Sequence, residues 1–331
     1  MFCQFLLKNY ESYRDETIFD MQAENLQEFF DSLILCEKSS SLLPVCVIYG
    51  PNGGGKSNLL KALSCLISIV VSPICELGST RINPVIQQRV SYEPFLFDEV
   101  SNGEPVEFRA FFRKNQYEYS YYIALNQGTV YTESLQRKQF GGKRPAHIFD
   151  RKKQEVIPGP SLRKLNVNRM VKPHMPYLSF LAITYDIPAT ADAEEWFESC
   201  ITHISGSVSV NPALLSVRGE KDDLLVQMMN DMDIDISGYR YDKMDDRFYL
   251  KRSIDGHEYE LSLEAESEGT KKLTAILPVV ITALQEGRLL VIDELDAKLH
   301  PKLLRYIIFL FNENCREFSH LFRWEMNRPN S

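Results

Sequence analysis

Apolar positions along the chain switch between two periods. Phe2 to Leu7, followed by Asn9-Tyr10, reads as a first strand and the stretch near Thr17 to Met21 as a second. Leu42 to Tyr49 is an apolar, partly β-branched run ending at Gly50, the pattern of a buried strand feeding a turn. Beyond the turn, apolar residues recur at 59, 60, 63, 66, 67 and 70, which is one face of a helix, and Pro73 is expected to end it for want of an amide proton. From Glu107 to Glu133 an aromatic alternation (Phe108, Phe111, Tyr117, Tyr119, Tyr121) breaks at Lys114-Asn115 and at Asn126-Gln127-Gly128. That predicts antiparallel hairpins with the tyrosines packed on a sheet face. Helices are predicted over Ala191 to Ile204 and Asp222 to Met232, and strands over Ile234 to Tyr241, Arg247 to Ser253 and Glu258 to Leu263. A helix from Gly269 to Glu286, an apolar strand Leu289 to Ile292 and a helix from Pro301 follow. No heptad run interrupts this order, so the middle of the chain reads as a compact lobe rather than a coiled-coil arm.

With 331 residues, 44% hydrophobic and 25% charged, the chain can bury a sizeable core, which excludes a disordered tail, a collagen-like chain or a solenoid. The apolar stretch Leu59 to Val71 is interrupted by Lys61, Ser64 and Ser68, so no membrane anchor is expected. Met1-Phe2-Cys3-Gln4 opens no targeting segment, and the expected location is the cytoplasm. The seven cysteines form no C-x-x-C pair and the six histidines no ligand spacing, which points to buried thiols rather than disulfides or zinc. Net charge is −8, yet Arg137 to Lys172 holds eleven basic residues against only Asp150 and Glu155. With Gly141-Gly142 and Pro158-Gly159-Pro160 inside it, segment 137–172 reads as exposed loop, either simply solvated or in contact with nucleic acid.

Gly50-Pro51-Asn52-Gly53-Gly54-Gly55-Lys56-Ser57 fits G-x-x-x-x-G-K-[ST] between a predicted strand and a predicted helix, the context of a P-loop. Asn52, Gly53, Gly54 and Gly55 let backbone amides turn inward around a polyphosphate, with Lys56, Ser57 and Asn58 at the helix start. Lys56 is expected on the β- and γ-phosphates of ATP and Ser57 on Mg²⁺. At the end of the strand Leu289 to Ile292, Asp293 is expected to hold the metal through water, and Glu294 to orient and deprotonate the attacking water. Two such acids could also open a solvated helix turn.

Glu266-Ser267-Glu268-Gly269-Thr270-Lys271-Lys272-Leu273 is a small-residue turn opening an amphipathic helix, with Ser267 or Thr270 as cap. With Ser267 lying 26 residues before Asp293, it resembles the ABC signature of SMC-like and RecF-like ATPases. Asp296, Leu299-His300-Pro301 and Asn9-Tyr10-Glu11-Ser12-Tyr13, similar to an N-F-x-S-F element, fall in that class's order. The resemblance implies an α/β fold, a P-loop NTPase of ABC-ATPase head type, with a mixed sheet, antiparallel β hairpins and a compact helical/β inserted lobe. It implies head halves at 1–75 and 233–331 around a lobe at 76–232. It also implies a homodimer or higher homo-oligomer in which Ser267, Gly269 and Thr270 act in trans, with Asp296 in the D-loop.

Within that class, Glu93-Pro94-Phe95, Thr132-Glu133-Ser134-Leu135, Ile148-Phe149-Asp150-Arg151 and Glu195-Trp196-Phe197 are similar to bacterial AAA-type ATP/GTP phosphatase proteins of abortive infection, the RloA or AbiL kind. This likeness, over residues 1–312, implies an ATPase that senses or regulates in anti-phage defence, with a separately encoded effector. A nucleotide-gated scaffold with little turnover and a RecF-like DNA repair ATPase are the alternatives. The family continues into a strand ending in a Thr-His pair, which Cys315 to Ser331 lacks, so a shortened chain or weak turnover is expected. His320 lacks the preceding apolar run, His300 is read as structural, and the glutamine loop is not placed at Gln87 or Gln88.

Overall fold

Aromatic and polar residues alternate along successive strands near the N-terminus, and in the computed structural model, which describes residues 1–24, 32–36, 39–76, 92–203 and 220–316, they build one antiparallel sheet. The chain divides into two compact units, Met1–Thr202 and His203–Ser331. In the first unit, β1 (Phe2–Lys8), β2 (Thr17–Asp20), β3 (Val106–Lys114), β4 (Tyr117–Asn126), β5 (Thr129–Gln139), β6 (Ala146–Lys152) and β7 (Glu155–Pro158) lie in the order β2-β1-β3-β4-β5-β6-β7. The β4–β5 hairpin turns through Gln127 and Gly128, both at positive φ, the geometry that matches strand twist. Tyr119 and Tyr121 are buried on β4, as the alternation predicts.

Helices α1 (Lys56–Glu76), α2 (Glu99–Gly103), α3 (Pro160–Lys164), α4 (Tyr177–Thr184) and α5 (Pro188–Ser199) complete this unit, and the short strand β8 (Ile201–His203) follows. Phe112 of β3 stacks on Trp196 of α5 at 4.0 Å between ring centroids, and Tyr121 meets Phe197 edge-on at 5.4 Å, so α5 is anchored on the sheet by aromatic contact. Ser179 of α4 donates to the carbonyl of Val70 on α1 at 2.7 Å. Among the described residues, Lys56–Ile74 of α1 is the one helix long and apolar enough to cross a membrane. Packing against α4 and α5 accounts for its apolar character, since Ala62, Leu66, Val70 and Val71 are fully buried within the unit.

The second unit holds α6 (Glu220–Asp231) and an antiparallel sheet of β9 (Gly238–Asp242), β10 (Arg247–Ile254) and β11 (His257–Ser262). It continues with α7 (Glu268–Glu286), β12 (Leu290–Ile292) and α8 (Pro301–Arg316). Its core gathers Leu225 and Met229 of α6, Leu250 of β10 and Leu273, Leu277 and Val280 of α7. The α/β class with antiparallel hairpins expected from the sequence is what the structure shows.

Four local expectations are corrected. Leu42 to Tyr49 forms no strand: Leu42 bridges to Gln22 and Ile34, and beyond it Val47 and Tyr49 are 49% and 79% exposed. A β-branched run becomes a strand only where a neighbour accepts its ladder, and within this unit none is paired with residues 44–49. The helix beginning at Lys56 passes through Pro73 to Glu76, because one missing amide near a helix end weighs less than the burial of Val70, Val71 and Ile74. The helix predicted over 191–204 stops at Ser199, and β-branched Ile201 and Thr202 take extended backbone. The strand predicted from Ile234 starts only at Gly238; Ile236 is buried in the core without joining the ladder. Ile204, Gln87, Gln88 and His320 lie outside the described residues.

Candidate functional site

The glycine-rich loop runs directly into α1, which starts at Lys56. Gly53 and Gly55 adopt φ of +77° and +84°, a region that costs side-chain-bearing residues dearly. A Cβ on Gly55 would also stand 2.9 Å from the Ser12 hydroxyl oxygen and 3.2 Å from that of Tyr13. The loop closes through Gly54 N–H donating to Pro51 O at 3.1 Å and Leu59 N–H to Gly55 O at 3.0 Å. Lys56 folds back over this backbone, its ammonium donating to the carbonyls of Gly50 and Pro51, each at 2.8 Å. A cradle free of side chains, a positive helix end and a lysine poised over the loop are the donor set that a nucleotide polyphosphate requires.

Residues 9–13 are the loop's scaffold. Asn9, fully buried, donates to the carbonyls of Ser101 at 2.7 Å and Glu104 at 3.0 Å and accepts from Phe95 N–H at 3.0 Å. Glu11 N–H donates to Glu93 O at 2.9 Å, so Glu93-Pro94-Phe95 is tied to the same corner. Asn9 and Glu11 both hold positive φ, which turns Ser12 and Tyr13 toward the loop. There Asn58 donates to the Ser12 hydroxyl at 3.0 Å and Tyr13 donates to Gly55 O at 3.1 Å.

In the second unit, Ser267 caps α7 by accepting from Thr270 N–H at 3.1 Å, which decides between the two candidate caps. Its hydroxyl also lies 2.9 Å from that of Thr270. At Gly269 the helix start comes close to the turn, since a Cβ there would lie 3.3 Å from Lys298 O. After β12, the chain turns through Asp293 to Lys298 with Glu294 and Lys298 in the left-handed region. His300 accepts from Lys302 N–H at 3.2 Å at the start of α8, a capping role in keeping with its structural reading.

Sequence reasoning did not find the roles of Lys272, Glu268 and Lys298, because the contacts of Lys272 with Glu294 and Ala297 and of Lys298 with Glu268 join residues distant in the chain. Lys272 is 7% exposed, and its ammonium donates to the carbonyls of Glu294 at 2.5 Å and Ala297 at 2.6 Å. Desolvation lowers its pKa, while Asp296 and Glu294 oppose that shift. Lys298 donates to Glu268 at 2.9 Å, and Lys271 does so at 3.0 Å. Hydrogen bonds from these two lysines hold the Glu268 carboxyl down at about 2.

Segment 137–172 is largely not the loop expected but β5, β6, β7 and α3, because its buried positions Ile148, Phe149, Val156 and Leu162 carry the fold and its charges decorate it. Arg151 is buried, pairing with the equally buried Glu133 at 3.5 Å and donating to Met175 O at 2.7 Å. Glu133 also accepts from the first amides of α4, Tyr177 at 2.6 Å and Leu178 at 2.9 Å. Burial pushes its carboxyl up, opposed by those amides and by Arg151. Lys138 pairs with Glu118 at 2.9 Å and Arg137 lies over the Tyr117 ring. Lys143, Arg144, Lys152, Lys153, Arg163, Lys164, Arg169 and Lys172 remain exposed.

The family described as "AAA domain, putative AbiEii toxin, Type IV TA system" matches residues 45–162 and 207–322. The chain belongs to this AAA family. Its first matched stretch carries the glycine-rich loop and its second the turn at Ser267 and the acids after β12. No protein of curated function matches the sequence. Among solved structures, the chain is similar to an SMC head bound to the C-winged helix domain of ScpA, at 12% identity and TM-score 0.48, with 96% of this chain and 86% of that one covered. It is also similar to the SMC head domain from Thermotoga maritima, at 12% identity and TM-score 0.42, with the same coverage of each.

Proposed function

We propose that the chain is an ATP-binding and hydrolysing ATPase of ABC-head type. The observation that carries this reading is the loop Gly50–Ser57: two left-handed glycines, a backbone closed on itself, and Lys56 at the start of a long helix. Asn52 to Asn58 bind the phosphates, and Lys56 places a point charge on the β- and γ-groups. Ser57, and Asp293 through water, would hold magnesium. Magnesium, when bound with the nucleotide, neutralises phosphate charge and polarises the bond to be cleaved. Glu294 takes the proton of the attacking water, Asp296 serves the D-loop, and Ser267, Gly269 and Thr270 at the positive end of α7 face the nucleotide of a second protomer.

The biological role we propose is that of sensor or regulator in an abortive-infection system of the RloA or AbiL kind, acting in the cytoplasm with a separately encoded effector. The matched family, described as a putative AbiEii toxin of a type IV toxin–antitoxin system, supports the abortive-infection setting of this proposal. The exposed basic residues of segment 137–172 are the proposed contact for nucleic acid, and loss of oligonucleotide binding in a Lys152→Glu/Lys153→Glu variant tests that assignment.

The trans assignment of Ser267, Gly269 and Thr270 is tested by ATP-dependent pairing. Ser267→Arg fills the trans phosphate site with bulk and positive charge, so light scattering is expected to show ATP-driven dimers for the wild type and monomers for the variant, at equal nucleotide affinity. Dimerisation unchanged in the variant removes the trans assignment.

A further inference from the structure

The start of α7 and the turn after β12 are joined at three points. Lys272, one turn into the helix, sends its ammonium to the carbonyls of Glu294 and Ala297. Lys298 on the turn reaches back to Glu268 in the first turn of the helix. Gly269 lets the helix start approach the Lys298 carbonyl to a distance at which a Cβ would sit at 3.3 Å. The turn needs such help, because Glu294 and Lys298 both hold positive φ, an uncommon and costly state for residues with side chains.

From this geometry we infer that Lys272 is a positioning residue: it fixes the backbone of the Asp293–Lys298 turn, and with it the aim of Glu294, to the helix that begins at Ser267. The inference rests on the ATPase reading above and names the regulation of that same site. An ammonium is suited to the task, since it supplies three donors to converging carbonyl oxygens that a buried apolar side chain would leave unpaired. Burial lowers the pKa of Lys272, and Asp296 and Glu294 oppose that shift, while the two carbonyls receive its ammonium. Glu268 and Lys298 repeat the connection at the exposed end of the same junction. A shift of the α7 start, such as engagement of a second protomer's phosphate would cause, is therefore transmitted to the carbonyl of Glu294 itself. Contact at the signature and base catalysis in the same protomer become one event.

Lys272→Met and Lys272→Arg in the full chain test this in two independent ways. Hydrogen–deuterium exchange, read without nucleotide, is expected to speed at the Ala297 and Leu299 amides in Lys272→Met by at least tenfold, while the core amides of α7 keep wild-type rates. Wild-type exchange at both amides overturns the clamp whether or not the protein hydrolyses ATP. In steady-state kinetics Lys272→Met is expected to lower kcat by tenfold or more with KM and nucleotide Kd within twofold, and Lys272→Arg to recover most of the loss. An equal fall in nucleotide affinity, a fall in the folded fraction that tracks activity, or no rescue by arginine overturns the positioning role. A wild type with no more phosphate release than Lys56→Ala overturns the ATPase reading instead, and the exchange result still decides the clamp.

Discussion

Tyr13 donates its phenolic proton to the carbonyl oxygen of Gly55 at 3.1 Å, so the strand–turn element at the chain's start holds the last glycine of the phosphate loop in place. Tyr13→Phe keeps the ring and removes that bond. ATP affinity in a calorimetric titration is expected to fall about fivefold, in line with the roughly 1 kcal/mol of a single hydrogen bond, with little change in unfolding midpoint. Undiminished affinity contradicts a role for residues 9–13 in shaping the loop.

Gly55→Ala meets two obstacles at once, a φ of +84° and hydroxyl oxygens 2.9 and 3.2 Å from the new methyl group. The left-handed conformation alone costs about 1–2 kcal/mol, and Ser12 and Tyr13 must move as well. The variant is expected to fold, with its thermal midpoint lowered by several degrees, and to lose ATP binding beyond detection. Wild-type binding in the same titration removes Gly55 from the cradle.

The buried pair Glu133–Arg151 anchors the start of α4 to β5 and β6. Arg151→Met leaves a carboxyl in the core without its cation, a loss of about 3–5 kcal/mol measurable by urea unfolding. Lys152→Met, one residue on and exposed, is expected to stay within about 0.5 kcal/mol of wild type. Equal effects of the two substitutions contradict the structural reading of Arg151.

Arg151 also shows where the sequence stops being readable. Strand alternation and turn residues mark the hairpins from β3 to β5 because both signals are local, and Ser267 announces α7 by its own side chain. The pairing of Glu133 with Arg151 is long-range: both fall in stretches that carry the family resemblance, yet the charge pattern counts Arg151 only as part of a basic run. Lys272 is hidden in the same way, since its partners are backbone carbonyls 22 and 25 residues further on. Leu42 to Tyr49 fails in the opposite direction, an apolar run whose composition promises a strand that its own unit does not pair. The glycine turn and the helix start at Lys56 are legible because that string of residues is local, whereas the strand expected before it is not formed.

Glu268 gives the junction a pH dependence of definite sign. Its carboxyl is depressed, chiefly by the hydrogen bonds from Lys298 and Lys271, so its contribution is present above the ordinary carboxylate range and is lost as pH falls toward about 2. Glu268→Gln is expected to unfold at lower urea than wild type at neutral pH, with the gap closing as the titration passes below the usual glutamate range. A gap that is constant down to the acid end contradicts the ion pair with Lys298.

Base catalysis by Glu294 is the centre of the functional reading, and single-turnover phosphate release from ATP and magnesium reads it directly. Glu294→Gln keeps the size of the side chain and one accepting oxygen while removing its basicity. Its rate is expected to fall below wild type by on the order of 10² to 10⁴ with nucleotide affinity unchanged. Equal rates in wild type and variant, both at the background set by Lys56→Ala, would contradict an ATPase and leave a nucleotide-gated scaffold in its place.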